Sequence, residues 1–178
     1  SLLFSVFSLV IFLNAFNMFD GINLQSSIYG KFIFIVFILN NHFLNLSLVV
    51  VVGLIFFLYL NYKNICFLGD NGSLLVSFLI AYIFFQSSNE KIFFADEILL
   101  IMIIPGIDLI RLFFLRLINK KSPFTPDNNH LHHYLIKKFG LIKTNFYVFL
   151  LITLPYFIGK YFENYLLFIL ISILIYFF

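Results

Sequence analysis

Seven stretches of this chain are apolar on every side for longer than a water-facing fold can hide: roughly 1–16, 26–41, 43–60, 73–88, 92–118, 144–158 and 164–178. A surface helix of a soluble domain is apolar along one stripe, and a half-buried strand on alternate residues; these runs show neither pattern. A membrane strand would be ~10 residues of alternating polarity, whereas a helix needs ~20 predominantly apolar residues to cross the hydrocarbon. Composition agrees, with 62% hydrophobic residues, 28 Phe and only 11% charged residues. The expected fold is therefore all-α: a polytopic transmembrane helical bundle of seven helices, forming one integral membrane domain over residues 1–178. Helices satisfy their own backbone groups in lipid, which is why they can span it. The second stretch, "SSIYGKFIFIVFILNN", is short and carries Lys31, so a re-entrant segment competes there with a tilted crossing, and the crossing is preferred.

Charge gives the bundle an orientation. Arg111, Arg116, Lys120, Lys121, Lys137, Lys138 and Lys143 lie in or beside the stretch 119–143, and counting crossings brings Lys31 and Lys63 to the same side. Only Lys91 and Lys160 fall opposite, which by the positive-inside rule makes the first side cytoplasmic. Cytoplasmic loops are expected near 14–25, 61–72 and 119–143. Cys66 is the single cysteine, so no disulfide forms within the chain. Ser1 opens directly in an apolar run without a basic leader, which excludes a signal peptide and suggests that the chain is part of a longer one.

Three polar islands interrupt the apolar runs. In "NAFNMFDGIN", Asn14, Asn17, Asp20 and Asn23 recur at every third residue and would share a face of a helix leaving the membrane; a simple helix stop is the competing reading. "FLGDNGS" sets Asp70 between glycines just before an apolar helix, which suits either a cap or a carboxylate beside free amides facing metal and diphosphate. The third runs from "IPGIDLIR" to "HLHHYL", with Asp108 and Arg111 one turn apart, and then His130, His132 and His133. Soft zinc ligands are lacking nearby, and imidazoles among so many cations suit phosphate better. Two crossings separate each island from the next, so all three fall on the side that the basic residues mark as cytoplasmic.

Taken together and in this order, "NAFNMFDGIN", "FLGDNGS" and "PGIDLIRLFFLRLINKKSPFTPDNNHLHH" resemble the polyprenyl-phosphate N-acetylhexosamine-1-phosphate transferases, glycosyltransferase family 4. The "SPFTPD" lead into "HLHH" is similar to the GlcNAc-1-phosphate branch of that family. The resemblance implies transfer of a HexNAc-1-phosphate from a UDP-N-acetylhexosamine to a polyprenyl phosphate, at the cytoplasmic face of a bacterial inner membrane, starting a lipid-linked envelope polysaccharide. It also implies Mg²⁺, with Mn²⁺ as the alternative, bound by Asp70. Asp20 and His132 join Asp70 as catalytic candidates. Asn14, Asn17 and Asn23 would meet the uridine or sugar, and Arg111, His130 and His133 the diphosphate. Membrane lipid is a partner, nucleic acid is not, and a homodimer is left open.

The chain departs from that pattern in places. Many relatives carry a second Asp where Asn23 stands, and Arg near Asn128. Members also carry a paired Asp on an earlier loop, whereas no Asp or Glu precedes Asp20. The competing readings are a phospho-MurNAc-pentapeptide transferase-type enzyme, a metal- or proton-coupled transporter and an inactive remnant.

Overall fold

The computed structural model describes residues 2–90, 92–120, 122 and 129–177. Among the described residues seven helices follow one another: α1 (Leu2–Phe19), α2 (Gln25–Leu39), α3 (Leu44–Tyr62), α4 (Gly69–Glu90), α5 (Ala95–Ile118), α6 (Leu131–Phe162) and α7 (Tyr165–Phe177). No strand occurs among the described residues. The chain is an all-α membrane protein, and α3, α5 and α6 are long and apolar enough to cross a membrane. The helices α2 and α7, with 15 and 13 residues, are shorter than a full crossing.

The first helix packs on α4 and α5, α2 packs on α3, and α5 packs on α6 and α7. The short α2 is the innermost helix, with Phe32, Ile33, Phe34, Val36 and Phe37 all buried. Protein rather than lipid surrounds it, so its length need not match the hydrocarbon. It runs the length of the bundle: just past its C-terminal end Lys160 from the end of α6 donates to Asn40 Oδ1 at 3.1 Å, and His42 lies 3.6 Å from Glu90 at the end of α4.

Aromatic rings fill the interior, for instance Phe37 against Phe84 and Phe93 with centroids 4.9 and 5.7 Å apart. In lipid, close packing of this kind holds helices together, because lipid tails are as apolar as Leu and burial alone gives little. The outer surface is apolar as well: Phe7, Val49, Val52, Phe56 and Leu75 are exposed. That surface is what a hydrocarbon solvent requires and what water would penalise.

Helix bounds differ from the sequence reading where polar residues remain helical. Residues 14–19 continue α1, and 69–72 already belong to α4. Residues 131–139 form a polar helical leg, which breaks from the apolar leg of α6 at Gly140 (φ 76°, ψ 171°). Glycine reaches that backbone conformation without the penalty a Cβ would bring.

Candidate active site

Alternation of the helices brings the end of α1, the starts of α2, α4 and α6, and the end of α5 to one end of the bundle. Helix α1 stops at Phe19, and the amide of Asp20 closes the turn onto the carbonyl of Asn17 at 3.1 Å. The expectation that Asn14, Asn17, Asp20 and Asn23 share one helical face is corrected here, because the last two lie beyond the helix. Asn17 turns towards α4, where the buried Ser73 hydroxyl donates to its Oδ1 at 2.6 Å. Asn14 bonds back onto its own helix, at the carbonyl of Val10.

The Asp20 carboxylate accepts from the Ser26 hydroxyl in the first turn of α2, and the Gly69 amide that opens α4 faces it closely enough to favour its charge. Burial raises its pKa to about 6; the nearby charge of Asp70 adds to the rise, while Ser26 and Gly69 oppose it. Asp70, in the first turn of α4, is exposed. The first and second islands thus meet as two carboxylates at a helix N-terminus, where amides and the helix dipole favour negative charge.

The histidine segment closes on this pair. His132 is buried, and the Nε2 corner of its ring lies against Gly21, so close that a Cβ built on Gly21 would stand 2.1 Å from Nε2. Only a residue without a side chain fits beside that ring. His130 and His132 stack with centroids 5.1 Å apart and planes within 3°, and His133 lies 4.4 Å from His132. Burial first, then the neighbouring His133 and His130, push the His132 pKa down to about 3. His132 sits in the polar leg ahead of Gly140, outside the apolar span, and is neutral at pH 7. It is therefore not the cation that the loop's composition suggests. Its Nε2 has no hydrogen-bond partner.

Arg111 and His130 both turn to Asp108, at 2.8 Å each. Asp108 and Arg111, one turn apart on α5, thus pair with each other, and His130 joins them. Asn23 holds the loop: its Nδ2 donates to Asn64 Oδ1 at 2.6 Å, and its carbonyl accepts from Asn145 at 3.0 Å. The neighbouring Leu24, in the left-handed region at φ 75°, has its amide held by Asn61 Oδ1 at 2.6 Å. His42 lies at the opposite end of the bundle, as the crossing count places it.

Sequence reasoning missed Ser26, Asn61, Asn64, Ser73, Asn145 and Tyr176, which support the site from other helices. Ser73 was the most accessible, because it stands inside "FLGDNGS" three residues after Asp70. The stretch 123–128, which includes most of "SPFTPD" and Asn128, lies outside the described residues. Among the described residues no three His, Cys, Asp or Glu side chains form a metal cage. Two neighbouring carboxylates do suit a hard cation that completes its shell with water and substrate oxygens.

Comparison with known proteins points the same way as the motifs. The model of the family described as Glycosyl transferase family 4 matches residues 1–88. The chain is 43% identical over 89 residues to the undecaprenyl-phosphate alpha-N-acetylglucosaminyl 1-phosphate transferase of Pasteurella multocida. It is 39% identical over 89 residues to the protein of that name from Haemophilus influenzae, and 37% over 90 residues to that of Escherichia coli K12. Each match covers 49% of this chain and 24% of the relative, so the matched segment spans about a quarter of the relatives' length. No solved structure matches the chain.

Proposed function

Since residues 1–88, about half of the chain, belong to glycosyl transferase family 4, we propose that the protein moves GlcNAc-1-phosphate from a UDP-sugar to undecaprenyl or a similar polyprenyl phosphate. The observation that carries this reading is the meeting of three distant polar segments: Asn17 with Ser73, Asp20 with Gly69, and His132 against Gly21. Scattered helix caps have no reason to converge on one spot.

In the reaction an oxygen of the lipid phosphate attacks the β-phosphorus of the UDP-sugar. One phosphoanhydride bond forms, the bond between the α- and β-phosphates breaks, and UMP leaves. The bonds made and broken are alike, so catalysis rests on positioning and on neutralising charge. A phosphate monoester with a second pKa of ~6 is already mostly dianionic at pH 7, so deprotonating the acceptor asks little of the protein.

Asp70, with Asp20 beside it, would hold a Mg²⁺ or Mn²⁺ ion, which supplies charge neutralisation at the diphosphate oxygens. The mutual repulsion of the two carboxylates is what such a cation relieves. Neutral His132, with Nε2 buried against Gly21, is suited to hold the wall of the site between Asp20 and the other two imidazoles. His133 stands beside it, and His130 and Arg111 flank the pair from Asp108. Asn17 stands beside the two carboxylates on Ser73, while Asn14 and Asn23 act through the backbone and the loop. The apolar exterior provides the lipid contact that a polyprenyl acceptor needs, and the excess of basic residues on the site's side of the bundle supports a site at the cytoplasmic face of the inner membrane.

The test is transfer of label from radiolabelled UDP-GlcNAc to undecaprenyl phosphate by membranes containing the protein, with Mg²⁺ and with chelator. Asp70→Asn should lower transfer by roughly 10³-fold, the scale on which loss of a single electrostatic stabiliser is felt. Wild-type rates in Asp70→Asn would remove the metal assignment, and transfer that ignores chelator would remove the metal.

A further inference from the structure

We infer that Asp108 is the positioning residue of the histidine segment: its carboxylate fastens the start of α6 to α5 and α7, and so sets where His130 and His132 stand. The kinetic part of this inference rests on the transferase reading; the structural part does not.

Asp108 is 4% exposed and lies within α5, a helix able to span the membrane. A buried carboxylate is costly unless its lone pairs are met by donors. Arg111, one turn on, meets Oδ1 at 2.8 Å, and that pair alone would balance the charge. Three more groups nevertheless converge. His130 Nδ1 stands 2.8 Å from Oδ2, the amide of Leu131 donates to Oδ1 at 3.2 Å, and the hydroxyl of Tyr176 donates to the same oxygen.

Arg111 in turn donates from Nε to the Tyr176 hydroxyl at 2.7 Å and from an Nη to the carbonyl of Asn129 at 2.6 Å. Residues 129, 130 and 131 are thus each held by Asp108 or by its arginine. Tyr176 arrives from α7, 68 residues along the chain. The cluster ties the middle of α5 and the end of α7 to the first residues of α6.

The geometry reaches the site through the rings. With Nδ1 facing the carboxylate, the Nε2 of His130 is the nitrogen left for a ligand. The His130 ring lies parallel to His132 at 5.1 Å, and His132 presses on Gly21 beside Asp20. Releasing His130 removes the support on one side of His132. Asp108 bonds to Arg111 and His130 and touches neither Asp20 nor Asp70 in any hydrogen bond or ion pair described, so it acts on the site through those two.

The test uses the whole chain in detergent, with Asp108→Asn and Tyr176→Phe beside wild type. Histidine modification by diethyl pyrocarbonate is followed residue by residue with mass spectrometry. His42, buried at the opposite end, reports global loosening. Asp108→Asn should raise the modification rates of His130 and His132 by about tenfold, as expected when a charge-assisted bond that limits local opening is lost. Tyr176→Phe should raise them less, and His42 should not change in either variant. In the transfer assay Asp108→Asn should lower kcat more than it raises KM. Adding His130→Ala to Asp108→Asn should then cost less than about twofold more, because two residues acting as one unit are not additive.

Unchanged His130 reactivity overturns the inference, and so does a rise shared by His42, which would make Asp108 a general support of the fold. Multiplicative losses of Asp108→Asn and His130→Ala would overturn it as well. Wild-type protein without transfer activity would instead refute the transferase reading, and histidine reactivity would still decide the role of Asp108.

Discussion

Replacing Gly21 by Ala tests the meeting of the first and third polar segments with a single methyl group. The new Cβ would lie 2.1 Å from His132 Nε2 and 2.6 Å from Cε1. Non-bonded heavy atoms settle at about 3.5 Å or more, so the ring or the loop must retreat by about 1.4 Å. His132 has little room to retreat, because it is 1% exposed and stacked on His130. Overpacking of this sort costs about 1–3 kcal/mol of stability. The effect on chemistry should be larger in proportion, since a shift of ~1 Å in a reacting constellation is worth ~10²-fold in rate. Gly21→Ala should therefore lower kcat/KM for GlcNAc-1-phosphate transfer by about 10²-fold, or about 2.7 kcal/mol of barrier, while the protein still assembles in membranes.

Two controls isolate the cause. Gly53→Ala, on α3, places its Cβ within 4 Å of nothing and should leave transfer unchanged. Adding His132→Ala to Gly21→Ala should restore the thermal midpoint, because the clash disappears, without restoring turnover. Wild-type transfer by Gly21→Ala would refute the packing of His132 on Gly21 and the site built on it.

The raised pKa of Asp20, to about 6, makes a prediction for chelator-treated protein. The folded state holds the proton more tightly than the unfolded chain, so this group destabilises the fold progressively as pH rises from about 4 to about 6. Asp20→Asn should accordingly gain thermal stability relative to wild type across that window and level off above it; a pH-independent difference would exclude the shift. At the opposite end of the bundle, Tyr156→Phe deprives buried Glu97 of a hydroxyl donor at 3.0 Å and should cost about 1–3 kcal/mol in thermal unfolding while leaving KM unchanged. For topology, in a Cys66→Ser background, Asn119→Cys should react with an impermeant maleimide only after cells are opened, and Asn45→Cys should react in intact cells; the reverse pattern would invert the assignment of sides.

The sequence alone determined the class and the count. Apolar runs with no polar face admit only helices in lipid, and seven such runs became seven helices because hydropathy and helical period are local properties of the chain. The convergence of the three islands at one end was also legible, because parity of crossings needs only that count. The choice between crossing and re-entry for α2 could be posed from length, whereas the contacts just past its far end, Asn40 with Lys160 and His42 with Glu90, came only with the packing.

What each polar side chain meets was decided by tertiary packing. Ser73 reaches Asn17 across 56 residues, Tyr176 reaches Asp108 across 68, and Asn145 reaches the carbonyl of Asn23 across 122. No local pattern encodes such partners, because they depend on which helix faces lie together and how far each helix extends. The same packing turns Arg111 and His130 inward to Asp108 and makes His132 neutral by burying it. A motif announces the residue types that phosphate chemistry needs. The desolvation and hydrogen bonds that set their charge and direction exist only once the helices have closed around them.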